Sequence, residues 1–114
     1  EYDLITVAET EQFQRKAARL LTDNEIVELV AYLAMQPSAG VLIQGSGGIR
    51  KLRWARSGVG KSGGVRVIYY FHSAEMPLYL LTLFGKNEKS NISLEEKSAL
   101  SKSVKRLVKY WRQI

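Results

Sequence analysis

An abrupt change of hydrophobic pattern at Gly40 constrains the fold more than any other feature of the sequence. Before Gly40, apolar residues recur with the spacing of amphipathic helices. After it, polar and apolar residues alternate, or β-branched and aromatic residues run together, which is typical of strands. The chain is therefore predicted to belong to the α+β class.

Two helices preceded by a short strand are predicted in the first part of the chain. The strand covers Leu4 to Ala8, and Thr10 supplies an N-cap for the first helix. Thr22 and Glu25 have the spacing of a capping box, in which each side chain accepts a hydrogen bond from the other residue's backbone N–H. The second helix begins there and ends before Pro37.

Three strands in a meander and a final helix are predicted after Gly40. The strands cover Ile49 to Arg56, Val65 to Phe71 and Leu78 to Phe84, separated by glycine-rich or polar turns. Ser93 and Glu96 form a second capping box, which opens a helix with many basic residues. The predicted order is β-α-α-β-β-β-α, with a small antiparallel sheet.

Bulk properties narrow the class of protein and of partner. The 114 residues are predicted to form one domain, 1–114, and the 46% hydrophobic content is too high for a disordered chain. Cysteine is absent, which excludes disulfides and thiol chemistry and fits a cytoplasmic protein. No apolar run is long enough to span a bilayer, so we expect no membrane association through a spanning helix. The net charge of +6 favours a polyanionic partner, with nucleic acid ahead of an acidic membrane or protein.

Two motifs suggest other activities without supporting them. Gly60-Lys61-Ser62 is like the end of a phosphate-binding P-loop, but Ala55 stands where that motif needs glycine, and a strand follows instead of a helix. The single histidine, His72, has no neighbours in sequence that would complete a metal site. We therefore expect neither nucleotide hydrolysis nor a metal centre.

Basic residues on successive strands form the most informative cluster. Lys51 and Arg53 leave the same face of one strand, and Arg66 and Lys86 belong to the next two if the strands pair in order. With Tyr69 and Tyr70 nearby, this surface is suited to clamping a phosphate and stacking a base. The alternative is that these charged side chains only face solvent on the outer side of a sheet.

Three segments carry a family resemblance: IQGSGGIRKLR from Ile43 to Arg53, GGVRVIYY from Gly63 to Tyr70, and LLTLFGKNE from Leu80 to Glu88. Together they resemble the RelE/ParE toxin superfamily and are most similar to its HigB-like branch. The resemblance implies the toxin of a type II toxin–antitoxin system. Such a toxin enters the ribosomal A site, cuts messenger RNA, and is silenced by a neighbouring antitoxin.

The resemblance also implies roles for individual residues. Those matching catalytic positions are Lys51, Arg53, Arg66 and Lys86, and Arg66 matches the arginine that contacts the scissile phosphate. The predicted RNA-binding residues are Arg50, Lys61, Tyr69 and Asn87. The sequence departs from RelE itself in two places, because Asn87 stands where an arginine is expected and Ser93 roughly where a catalytic tyrosine is expected.

The residue types suit cleavage of RNA without a metal or any other cofactor. Arginine meets the charge that develops on phosphate oxygens, and a lysine crowded by other cations releases its proton more readily and so serves as a base.

Two alternative functions stay open. One is a ParE-like gyrase inhibitor without catalysis, which has no need of the basic cluster, and the other is a nucleic-acid-binding module that uses the final helix. For the antitoxin we expect an acidic segment, with apolar anchors around Phe13 and Leu33.

Overall fold

Eight elements follow one another in the computed structural model, which describes residues 4–55 and 64–114. They are β1 (Val7–Glu9), α1 (Glu11–Leu20), α2 (Asp23–Met35), β2 (Val41–Leu42), β3 (Ile49–Trp54), β4 (Val65–Tyr70), β5 (Leu78–Gly85) and α3 (Leu94–Arg112). The elements agree with the predicted order, except that the two-residue β2 was not predicted. β1 also begins at Val7 rather than at Leu4.

The strands form one sheet in the order β1-β5-β4-β3-β2. β2 to β5 pair antiparallel with their neighbours, as the predicted meander requires, whereas β1 pairs parallel with β5. The sheet is therefore mixed and not purely antiparallel. The parallel pair arises at the edge of the sheet. β5, the last strand of the meander, lies beside β1 and runs in the same direction as β1.

Side-chain caps begin each helix where the sequence predicted. The Thr10 hydroxyl accepts from the Phe13 backbone N–H at 3.2 Å. The Thr22–Glu25 and Ser93–Glu96 capping boxes are both complete, so each satisfies two backbone donors at a helix start. In the two described stretches of the chain, no helix has both the length and the apolar character needed to cross a bilayer.

Helices cover both faces of the sheet and create two apolar cores. The helical hairpin α1–α2 packs on one face, and its core contains Phe13, Leu33, Val67 and Tyr69. Helix α3 packs on the other face, and its core contains Ile49, Ile68, Tyr70, Phe84 and Val104. Because β4 is covered on both faces, its side chains are buried, with Arg66 the half-buried exception.

Candidate functional site

A cavity of about 210 Å³ brings together three of the predicted basic residues. Lys51, Arg53 and Arg66 line it, together with Val41 of β2 and Ser90 of the loop after β5. Lys51 and Arg53 share a face of β3 because side chains alternate along a strand, and the strand register sets Arg53 directly opposite Arg66. The same alternation puts all three on the α3 side of the sheet, beyond the part that α3 covers.

The charges in this cavity are unfavourable unless an anion joins them. Arg53 and Arg66 are like charges on directly paired positions, an arrangement that destabilises a sheet. The Arg66 Nη1 atom is buried, and no residue in the described part of the chain accepts a hydrogen bond from it. A buried donor without a partner costs about 1–3 kcal/mol, and more when it is charged. A phosphate group satisfies such a guanidinium, because its oxygens match the planar fork of donors.

An ion pair fixes the loop that forms one wall of the cavity. Lys89 Nζ donates to both carboxylate oxygens of Glu96, at 2.7 and 2.8 Å, and lies 5.0 Å from the centroid of the Phe84 ring. Glu96 also accepts from the Ser93 backbone N–H at 2.9 Å, so the ion pair and the capping box form one network. The residue after Lys89 is Ser90, and the network therefore holds the cavity wall against the start of α3.

Two residues that line the cavity were missed by sequence reasoning. Ser90 brings a hydroxyl to the basic cluster, and Val41 brings an exposed apolar side chain. The resemblance directed attention to Ser93 instead, but the Ser93 hydroxyl accepts from the Glu96 backbone N–H at 3.1 Å and so caps α3. A serine in a polar loop and a valine in a two-residue strand give no signal that distinguishes them from their neighbours.

The other predicted residues around β5 are placed beside the cavity rather than in its lining. Lys86 is half-buried in the turn after β5, and its backbone N–H donates to the Gly64 carbonyl at 3.0 Å. Asn87 follows in the same turn and is exposed. Their roles towards RNA stay predictions. Lys61 lies outside the described residues, as does the Gly60-Lys61-Ser62 motif.

Arg50 points away from the basic cluster and supports the chain between α2 and β2. Its Nη1 donates to the carbonyls of Gly40 and Ser38 at 2.7 and 3.2 Å. Because Arg50 and Lys51 are consecutive on β3, their side chains leave opposite faces of the sheet. Arg50, predicted to bind RNA, therefore does not line this cavity. Its guanidinium instead holds the backbone between α2 and β2.

The prediction that Tyr69 stacks on RNA is wrong. Its side chain is 0% exposed, in the core beneath the α1–α2 hairpin. The hydroxyl donates to the Pro37 carbonyl at 2.9 Å and accepts from the Gly40 N–H at 2.7 Å. Residue 40 must be glycine for this contact, since a Cβ there would lie 2.8 Å from the Tyr69 ring. Burial is also the main cause that raises the pKa of Tyr69.

The ion pair of the cavity wall leads to a prediction about acid stability. The hydrogen bond from Lys89, supported by the one from Ser93, lowers the pKa of Glu96. A carboxylate whose pKa is lower in the folded state adds stability above its unfolded pKa, and loses that contribution as the pH falls through the folded pKa. We expect Glu96→Gln to lower the Tm at pH 7, and the difference from the parent protein to vanish towards about pH 3.

Glutamine is a stringent replacement because it retains the capping-box acceptor and removes only the charge. The pair is about one third exposed, so the effect at neutral pH stays below about 1 kcal/mol. Glu95→Gln, in the same helical turn, is the matched control. Thermal melts at about pH 7 and about pH 3 measure the Tm difference between each variant and the parent protein. An equal difference at both pH values would contradict a stabilising charge on Glu96.

Comparisons with known proteins agree with this fold. The family model described as "RelE toxin of RelE / RelB toxin-antitoxin system" matches residues 5–113. Among solved structures, the chain is similar to a mutant of the E. coli toxin RelE in the free state, with a TM-score of 0.57 and 14% sequence identity. The match covers 90% of this chain and 97% of that one, and at this identity it shows the fold alone. The predicted RelE-like α+β fold is confirmed, whereas the HigB-like branch stays a prediction.

Proposed function

The chain belongs to the RelE toxin family, and on that premise we propose that it is a ribosome-dependent endoribonuclease that cuts messenger RNA. Its role is then the inhibition of translation by the toxin of a toxin–antitoxin system. The site of action is the ribosomal A site, in the cytoplasm. Family membership supports the toxin, and the proposed chemistry rests on the cavity between β3, β4 and the loop after β5.

One observation carries the proposal: Arg66 lines a cavity with two further cations, and its Nη1 is buried with no acceptor among the described residues. Arg66 is the one charged residue in the sequence of β4, a strand covered on both faces. Apolar residues of similar volume are more favourable at such a position, so the guanidinium costs stability without a ligand. A phosphodiester supplies the missing acceptor, whereas a toxin acting purely through protein contacts has no need of this cluster.

The proposed reaction uses only the residues of the cavity, the RNA itself and water. We assign Lys51 as the base that takes the proton from a ribose 2′-hydroxyl, and the 2′-oxygen forms a bond to the adjacent phosphorus. The bond from phosphorus to the 5′-oxygen breaks, and that oxygen takes a proton from water. Arg53 and Arg66 hold the phosphate oxygens while negative charge develops on them. The products are a cyclic phosphate and a free 5′-hydroxyl.

Dependence on the ribosome follows from what the cavity lacks. Within the described residues, no carboxylate or histidine lines it, so little in the protein orients the ribose for in-line attack. Positioning contributes a large share of catalysis, and a bound ribosome supplies it when it holds the mRNA in the A site. We therefore expect the purified protein to leave naked RNA intact and to cut the same RNA during translation.

The test is a purified translation system in which the 5′ ends of one mRNA are mapped. The matched control is the same mRNA with its start codon removed, which should stay intact in the presence of the toxin. Rapid cutting of naked RNA would contradict ribosome dependence. Inhibition of DNA gyrase without any RNA cleavage would replace the proposal with the ParE-like alternative.

The antitoxin is expected to bring an acidic segment to this basic chain. With a net charge of +6, electrostatic steering should make association fast and make its rate fall as salt rises. Phe13 and Leu33 themselves are 0% exposed, so the predicted apolar anchors around them would be neighbouring side chains such as Met35, which is 51% exposed. Stopped-flow association with the product of the neighbouring small gene, at about 50 and 500 mM salt, checks the expectation. A rate independent of salt would contradict it.

A further inference from the structure

A second cationic groove lies between α3 and the far end of β4. A cavity of about 550 Å³ is lined on one side by Lys105, Lys109 and Arg112 of α3 and on the other by Tyr70 and His72. Arg66 and Tyr70 share the α3 side of β4 and are four positions apart, so the two sites are separated by about 13 Å along the strand. We call this cavity the α3 groove.

The cations of the α3 groove face it together, with no ion-pair partner among residues 4–55 and 64–114. Lys105, Lys109 and Arg112 are spaced four and three positions apart, so they follow one side of the helix. All three are exposed, and none is in an ion pair with another of the described residues. One carboxylate, that of Glu75, lines the smaller neighbouring cavity with Arg112 and His72, and therefore marks one end of the groove.

The opposite wall presents a flat ring in a fixed orientation. His72 is exposed and stacks on Tyr70, with ring centroids 6.2 Å apart and planes at 17°. Its Nδ1 is 3.2 Å from the Tyr70 hydroxyl, which sets the plane of the imidazole. Tyr70 itself is only 6% exposed, so the outer face of His72 is the surface that a ligand meets. Gly47 also lines the groove, and the space beside it is open, since a Cβ there would have nothing within 4 Å.

We propose that the α3 groove binds a second stretch of single-stranded RNA, with phosphates on Lys105, Lys109 and Arg112 and a base stacked on His72. Cations that follow a line beside an exposed aromatic ring are the two elements by which proteins hold single strands without reading sequence. The carboxylates of an acidic peptide would use the cations alone, whereas RNA uses both the cations and the stacking face of His72. RNA is chosen as the ligand because the proposal rests on the proposed function, but the proposal concerns RNA binding and not RNA cleavage.

Two double variants of α3 with the same loss of charge test the proposal. Lys105→Ala/Lys109→Ala removes two groove cations, and Lys102→Ala/Arg106→Ala removes two cations of the same helix that line a different cavity and not the groove. Alanine favours helix in both. The probe is a fluorescein-labelled single-stranded RNA of about 12 nucleotides, and its anisotropy gives Kd at about 50 to 200 mM salt.

The groove variant should weaken RNA binding about tenfold and lower the slope of log Kd against log salt by about 1.4, or 0.7 for each phosphate that the protein no longer neutralises. The control variant should change Kd less than about threefold. His72→Ala should weaken binding about fivefold or more, and His72→Phe should restore it, because phenylalanine retains the stacking face.

Two outcomes would overturn the proposal. Equal weakening by both double variants would show that the whole basic surface acts without a groove. Unchanged RNA binding, combined with weaker binding of the antitoxin by the groove variant, would assign the groove to an acidic peptide. Both outcomes are separate from a failure of the proposed function, which is scored by mRNA cleavage in the translation system and not by the binding of free RNA.

Discussion

Replacing Arg66 with alanine should lower mRNA cleavage about a hundredfold and relieve growth inhibition, while the protein stays folded. A guanidinium that meets the charge developing on phosphate is worth about 3 kcal/mol in the transition state, which corresponds to about this factor. The structural reason is that Arg66 lines the cavity and that its Nη1 is buried without an acceptor in the described part of the chain. Cleavage is measured in the translation system and inhibition by induced expression.

Stability and activity should change in different directions when Arg66 is replaced by an apolar residue. Arg66→Met keeps an unbranched aliphatic side chain and removes both the donor for which the described residues offer no acceptor and the repulsion from Arg53 across the sheet. Its Tm should therefore equal or exceed that of the parent protein, although its activity is lost. Arg106→Ala, on the exposed surface of α3, is the matched control and should stay toxic. A folded Arg66→Ala protein that inhibits growth at full potency would remove Arg66 from the site.

Tyr69→Ala should destabilise the protein by about 3–5 kcal/mol, since it empties a large space in the core beneath α1 and α2. Tyr69→Phe isolates the hydroxyl and should cost about 1–3 kcal/mol, because the Gly40 N–H and the Pro37 carbonyl are both left without their hydrogen-bond partner. Chemical denaturation of the two variants gives these values. The affinity of the folded Tyr69→Phe protein for RNA should not change.

Tyr110→Phe is the control for the removal of a tyrosine hydroxyl, because Tyr110 is 56% exposed. It should be as stable as the parent protein. If Tyr69→Phe were equally stable and bound RNA more weakly, Tyr69 would have to be accessible to the ligand, against its complete burial.

The sequence alone determined what depends on neighbours along the chain. The capping boxes at Thr22 and Ser93 begin their helices as predicted, because a cap joins residues three positions apart. The shared face of Lys51 and Arg53 also follows from local geometry, because side chains alternate on any strand. The family resemblance, carried by short segments in a fixed order, is local information of the same kind.

Only the tertiary structure decided what depends on residues distant in sequence. Strand register set Arg66 opposite Arg53, and a shift of one residue would have turned Arg66 to the other face. Two adjacent tyrosines look equivalent in sequence, yet Tyr69 is in the core under the α1–α2 hairpin and Tyr70 in the core under α3. Ser90 reaches the cavity because the loop after β5 is tied to Glu96 through Lys89. Local patterns determine the side from which a residue projects, whereas packing between distant elements determines what covers it and which groups it meets.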